Sequence, residues 1–193
     1  MSAAGLVLAG GEGRRWGGPK AWARLPDGRT FLEACAATLA AGGAEPVVAT
    51  LPPGAEGPVP GGVVPAPLPE PGLDMMGSVR HGLARLLAEP GWETVILLPV
   101  DHPLVRPDTV AALAAAGAQG AIATWHGRHG HPLALSRAAA ERVAGGDLPG
   151  PTLREVLRAV RAVDVPVDDP GIRANCNTPE ALRRALEGPP DTP

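Results

Sequence analysis

Arg14, Arg15 and Lys20 stand in a glycine-rich stretch, Leu6-Val7-Leu8-Ala9-Gly10-Gly11-Glu12-Gly13-Arg14-Arg15-Trp16-Gly17-Gly18-Pro19-Lys20. An apolar run that breaks into glycines reads as a strand feeding a loop. Without a Cβ, such a loop turns tightly and lets a ligand approach its backbone. Its successive N–H groups form a nest for phosphate oxygens, and arginine and lysine neutralise what the nest holds. The chemistry implied is binding of a triphosphate, with Gly10, Gly11, Gly13, Gly17 and Gly18 shaping the backbone cradle. Two common phosphate loops do not fit. A Walker A loop requires Gly-Lys-Ser/Thr, whereas Lys20 lies between Pro19 and Ala21. The dinucleotide fingerprint requires a third glycine for close helix packing, and Trp16 stands there.

A second chemical group follows the most hydrophobic run of the chain, at Pro99-Val100-Asp101-His102-Pro103-Leu104. A carboxylate beside a triphosphate suggests Mg²⁺, which takes one or two carboxylates plus phosphate oxygens. A turn aspartate ahead of Pro103 would have the same sequence. A third group is Asn175-Cys176-Asn177-Thr178-Pro179-Glu180. Thr178-Pro179 is a helix start. One asparagine, Asn177 or alternatively Asn175, is a candidate second metal ligand or water anchor. Ser78 and His81 follow Gly77 at a predicted helix start, a position suited to anions. His102 reads as a phosphate contact or a turn cap. His126, His129 and His131 read as a transition-metal set or as part of a glycine-rich loop, 127–130, closing over an acceptor. Trp16 is a candidate cover for the nucleotide, and Cys35 an inert core residue. The three serines include none in Gly-x-Ser-x-Gly, so no hydrolase nucleophile is apparent.

These groups need a scaffold. The 193 residues suggest one domain with a real core, placed here at 1–187 with a tail at 188–193. With one Phe and no Tyr, that core must come from Ala, Val, Leu and Ile. A net charge of −3 with a single basic loop argues for a small anionic ligand and against nucleic acid. Two distant cysteines argue against a disulfide framework. No apolar run of membrane-spanning length and no signal peptide is seen, so the expected location is cytoplasmic. Predicted strands cover 5–8, 46–51, 63–64, 94–98, 121–125 and 163–167. Predicted helices cover 30–41, 77–88, 107–116, 136–144, 152–160 and 179–186. The alternation predicts a three-layer α/β/α domain with a mainly parallel, Rossmann-like sheet. In such sheets the ligand lies beyond the carboxyl ends of the strands, where the three groups should meet.

Taken in order, these segments resemble the MobA/MocA-like nucleotidyltransferases. Leu8-Ala9-Gly10-Gly11-Glu12-Gly13-Arg14-Arg15-Trp16-Gly17-Gly18-Pro19-Lys20 matches the family's opening signature, with Trp16 where methionine is usual. Asp101-His102-Pro103-Leu104-Val105 resembles its strand-end metal motif. Gly130-His131-Pro132, Val167-Asp168-Asp169-Pro170-Gly171 and the 175–182 segment resemble the cytidylyl branch, with asparagine for aspartate at 175 and 177. Gly10 is the guanylyl-like choice. The resemblance implies a nucleotide-diphospho-sugar transferase type of fold. It also implies Mg²⁺-dependent transfer of a nucleoside monophosphate from an NTP to a phosphorylated acceptor, molybdopterin, with release of pyrophosphate. Lys20 and Arg15 would be catalytic. Leu8, Ala9, Gly10, Gly11, Gly13, Lys20, Ser78 and Asp101 would bind nucleotide, His102 and His131 the acceptor, and Asp101 with Asn177 or Asn175 the metal. The later motifs favour CTP. GTP, a sugar- or alcohol-phosphate acceptor, and a non-catalytic nucleotide-binding accessory protein are the alternatives. A monomer or weak dimer serving a molybdoenzyme or its chaperone is the expected setting.

Overall fold

The computed structural model describes residues 2–148 and 152–188. Seven strands, β1 (Ala3–Leu8), β2 (Ala44–Leu51), β3 (Val63–Pro67), β4 (Thr94–Pro99), β5 (Gly120–Trp125), β6 (Arg128–Ser136) and β7 (Val163–Pro166), form one sheet. Their order is β3-β2-β1-β4-β6-β5-β7. The pairs β1–β2, β1–β4, β2–β3 and β5–β7 are parallel, and β6 runs antiparallel to both β4 and β5.

The core lies on both faces of this sheet, as a three-layer fold requires. On one face α1 (Phe31–Ala41), α3 (Pro107–Ala115) and α6 (Pro179–Leu186) bury Phe31, Leu39, Leu113 and Leu182 against Val7, Ile96 and Leu98. On the other, α2 (Met75–Leu87), α4 (Arg137–Gly145) and α5 (Leu153–Ala159) bury Val79, Leu83, Val143 and Val156 against Leu6, Val95 and Leu97. Every residue of β1 and of β4 is buried, which is why both read as unbroken apolar runs. The Thr30–Glu33 capping box starts α1: the Glu33 amide donates to Thr30 Oγ1 at 3.1 Å, and the Thr30 amide donates back to Glu33 Oε2 at 2.6 Å.

Two expectations are corrected. Residues 127–130 are not a free loop. His126 and Gly127, with φ of 49° and 71°, form a two-residue turn between β5 and β6. Two successive positive φ values are the signature of the hairpin turn whose twist matches paired strands. The other correction concerns α2, which starts at Met75 rather than Gly77. Its first turn is capped by the Asp74 carboxylate, which accepts from the Gly77 amide at 2.6 Å. That amide is taken by the cap, and Ser78 and His81 lie further along the helix than its first residues. Boundaries elsewhere move by one or two residues, except that β3 runs to Pro67. The predicted tail at 188–193 lies outside the described residues from 189 onward.

The chain leaves β1 for β2 and β3 on one side and returns to β4 on the other. The carboxyl ends of β1 and β4 therefore flank a topological switch point, where ligands bind in open α/β sheets. Leu8 pairs with Pro99, and the Val100 amide donates to the Leu8 carbonyl at 3.1 Å. This pairing brings the glycine loop and Asp101 to the same edge.

Candidate active site

The loop after β1 is built from its own backbone. The Ala9 amide donates to Thr50 Oγ1 at 3.1 Å, tying the loop's start to β2. Trp16 and Gly18 amides both donate to the Gly13 carbonyl, at 2.8 and 3.4 Å. Gly13 has φ +61°, and a Cβ there would lie 2.0 Å from the Gly18 carbonyl oxygen. Glycine is required at this position on both counts. A Cβ on Gly10 would meet Leu68 Cδ1 at 2.4 Å and come within 3.7 Å of Ser78 Oγ. Ser78 is buried and borders the loop from α2. Arg15 is exposed on a short 3₁₀ turn at Arg14–Trp16.

Trp16 does not stand free as a cover. It packs edge-on against Phe31, with centroids 5.2 Å apart, and its indole N–H donates to the Cys176 carbonyl at 3.1 Å. The Cys176 amide in turn donates to the Asp101 carbonyl at 2.7 Å. These bonds lock the loop, the end of β4 and the Asn175–Thr178 segment together. Asp169, buried a few residues earlier, secures that segment from behind. Its carboxylate accepts from the Gly171 amide, the Arg106 amide and the Thr109 hydroxyl at 2.8, 2.9 and 2.7 Å.

Lys20 lies at the centre. Its ammonium donates to Asp101 Oδ2 at 3.1 Å and to Asn177 Oδ1. The other Asp101 oxygen faces His102 Nδ1 at 3.1 Å. Burial favours the neutral acid, but the His102 hydrogen bond and charge, with Lys20 behind them, hold the Asp101 carboxyl well below the usual carboxylate range. Asp101 is thus a carboxylate at any working pH. Two hard oxygens, from Asp101 and Asn177, already converge on one cation. That donor chemistry fits Mg²⁺, with phosphate and water completing the shell. Asn175 is exposed and faces a neighbouring cavity instead.

The His126, His129 and His131 set does not converge. His126 is in the hairpin turn and meets Trp125 edge-on, His129 pairs with Asp164 at 2.8 Å, and His131 meets His102 edge-on at 4.9 Å. Among the described residues no group of three or more His, Cys, Asp or Glu could hold a metal ion. Burial pushes the Cys176 thiol up to about 11 and the Cys35 thiol higher still. Neither is a thiolate at neutral pH.

Burial, with His102 adding to it, pushes His131 down from 6.5 to about 4. In the fold His131 stays neutral until about pH 4, whereas the unfolded chain takes up its proton near 6.5. The stability linked to His131 is therefore complete above pH 6.5 and drains away as pH falls towards 4. The slope approaches about 1.4 kcal/mol per pH unit. Chemical denaturation from pH 7 to 4 should show this slope, and His131→Gln should flatten it. An identical slope in the variant would assign the effect to another group.

Residues 5–171 match the MobA-like NTP transferase domain. The chain belongs to that family. A molybdenum cofactor guanylyltransferase of Rhodobacter capsulatus is 35% identical over 187 residues, 96% of this chain and 95% of the relative. Another, of Acidiphilium cryptum, is 35% identical over 156 residues, 76% of this chain and 72% of the relative. A crystal structure from Mycobacterium sp. strain JC1, of a homologue of a Mycobacterium tuberculosis protein, superposes with a TM-score of 0.79. It is 27% identical and covers 96% of this chain and 95% of that one. The MobA-like NTP transferase is thus a nucleotidyltransferase whose glycine loop, Asp101 and Asn177 meet as the motif order implied. Among the described residues no helix is long and apolar enough to cross a membrane.

The residues that sequence reasoning missed line a cavity of about 860 Å³ beside Asp101. Arg154, Arg158, Arg161 and Arg173 border it together with His102, His131 and Asn175. The arginines on α5 and just after it recur at helical spacing, a signal that a solvated helix face gives equally well.

Proposed function

We propose that this MobA-like NTP transferase moves a guanylyl group from GTP to the terminal phosphate of molybdopterin, with Mg²⁺, and releases pyrophosphate. The observation that carries transfer is the convergence of Lys20, Asp101 and Asn177 at the mouth of the glycine loop. The choice of guanine rests on the guanylyltransferase that aligns with 96% of this chain, and Gly10 agrees with it. The CTP preference expected from the later motifs is displaced accordingly. Contact between Lys20 and Asn177 also weakens the non-catalytic reading, because the asparagine is engaged where an aspartate is usual.

In this reading the loop backbone from Leu8 to Gly13 holds the base and phosphates. Lys20 and Arg15 neutralise charge developing on the α-phosphoryl group and the departing pyrophosphate. Such transfer is mostly positioning and electrostatics, so no protein nucleophile is needed. Asp101 and Asn177 would hold Mg²⁺, which supplies charge neutralisation and alignment of phosphate oxygens. His102 and His131 border the acceptor's approach.

Pyrophosphate release should be measured with each NTP, with and without molybdopterin. GTP with molybdopterin should give the highest kcat/KM. A higher value with CTP would restore the cytidylyl reading, and silence in every combination would favour an accessory protein. Gly13→Ala should weaken GTP binding at least about tenfold through backbone strain and the clash with Gly18. Calorimetric titration checks this, and an unchanged Kd would remove the loop's closed form from nucleotide binding.

A further inference from the structure

The Asn177 side chain is neutral, yet its oxygen meets the Lys20 ammonium. A carboxylate would be drawn to that cation by a full charge. An amide oxygen carries only a partial one, so its orientation depends on the backbone that carries it. That backbone is held on both sides. After Asn177, Thr178 caps α6, its hydroxyl accepting from the Ala181 amide at 3.1 Å. Before it, both backbone groups of Cys176 are engaged. The amide donates to the Asp101 carbonyl at 2.7 Å, and the carbonyl accepts from the Trp16 indole at 3.1 Å. The indole bond fixes the peptide plane that leads into Asn177, because that planar unit joins the Cys176 carbonyl to the Asn177 amide. The indole is itself placed by the glycine loop. The Trp16 amide donates to the Gly13 carbonyl at 2.8 Å, and its ring meets Phe31, the buried first residue of α1, edge-on. The loop thus reaches this segment twice, with Lys20 at the Asn177 side chain and Trp16 at the carbonyl before it. Trp16 is only half-buried, and an indole N–H with access to water needs no protein acceptor. Burial alone therefore does not account for the bond to Cys176. Phenylalanine or methionine at this position would fill the space without donating.

We infer that Trp16 is a positioning residue, which holds Asn177 against Lys20 and Asp101 through the Cys176 carbonyl. It acts through the backbone of the 175–178 segment and has no chemical part in transfer. Its effect on a cation at Asp101 and Asn177 rests on the Mg²⁺ reading proposed above; its hold on Asn177 does not.

Two measurements on the full chain test this separately, both with Trp16→Phe, which keeps a ring beside Phe31 and removes the donor. The first needs no ligand. Hydrogen exchange at the Cys176 amide should quicken about tenfold, and the Asn177 side-chain amide signals should shift in NMR. The Val48 amide, in buried β2, should exchange as in wild type. An unchanged Cys176 rate, unmoved Asn177 signals, or faster exchange at Val48 as well would each overturn the inference, the last by showing a general loosening. In the second, Mn²⁺ is titrated by electron paramagnetic resonance with a non-hydrolysable GTP analogue bound. Trp16→Phe should weaken Mn²⁺ binding about three- to tenfold, the range of one net hydrogen bond. In an Asn177→Ala background the same substitution should leave the affinity unchanged, because the path ends at Asn177. In an Asn177→Asp background the loss should shrink, since a full charge orients itself. Equal losses in all three backgrounds would overturn the inference. A wild type that binds no Mn²⁺ would sink the Mg²⁺ reading instead, and the exchange measurement would still decide the role of Trp16.

Discussion

Asp101→Ala is expected to abolish metal-dependent turnover, with kcat/KM falling by at least about a thousandfold. A metal supplies several kcal/mol of charge stabilisation in phosphoryl chemistry, and each 1.36 kcal/mol is about tenfold in rate. Asp101 follows β4 at the switch point, and its neighbours keep it ionised. The substitution also strands two partners: Lys20 loses its counter-ion, and His102 loses the oxygen at 3.1 Å. Some loss of stability is therefore expected, and Asp101→Asn is the better-matched variant, since it keeps hydrogen-bonding capacity while removing charge. Both should lose Mn²⁺ binding in the presence of GTP, measured by electron paramagnetic resonance. A variant that retains the wild-type metal dependence would end the assignment. The sign of the pKa shift adds a check. Because the folded carboxyl titrates below its ordinary 3.8, its stabilising contribution is present above that value and is lost only as pH falls below it. Any acidic loss of activity above about pH 5 must then come from a group other than Asp101.

The parts of this site that were legible in the sequence are those set by local rules. Glycines at Gly10–Lys20 required a tight turn, and its cations made it a candidate for anions. The Thr30–Glu33 spacing required a capped helix, and an unbroken apolar run before Asp101 required a doubly buried strand. Hydrogen bonds in the structure bear out the second of these, and burial bears out the third. What was not legible depended on partners distant in the chain. β6 begins with Arg128, His129 and Gly130 and contains Pro132, so its first half lacks strand periodicity; β4 and β5 on either side impose the extended form. Asn175 and Asn177 are equivalent as residue types. Only the position of Lys20, 157 residues away, separates them. The arginines of α5 look like a solvated face until β6 and the 170–175 segment close the other side of the cavity.

Lys20→Ala should produce two effects of opposite sign. The ammonium donates to the same two oxygens, on Asp101 and Asn177, that suit a divalent cation. Its side chain is 22% exposed, so it has room to leave when phosphates arrive. With nucleotide bound, Lys20 is expected to serve the phosphates, and removal of one such donor costs about a hundred- to a thousandfold in kcat. Without nucleotide, Lys20 competes with the metal for its ligands. The alanine variant should then bind Mn²⁺ severalfold more tightly than wild type in the absence of GTP, while turning over far more slowly in its presence. Lys20→Arg should rescue little, because a planar fork cannot replace a compact ammonium between two converging oxygens. Misfolding would lower both quantities, so a gain in metal affinity beside a loss of rate would distinguish the proposed exchange from simple damage. Equal Mn²⁺ affinities in wild type and variant would show that the ammonium and the metal do not share the Asp101–Asn177 oxygens.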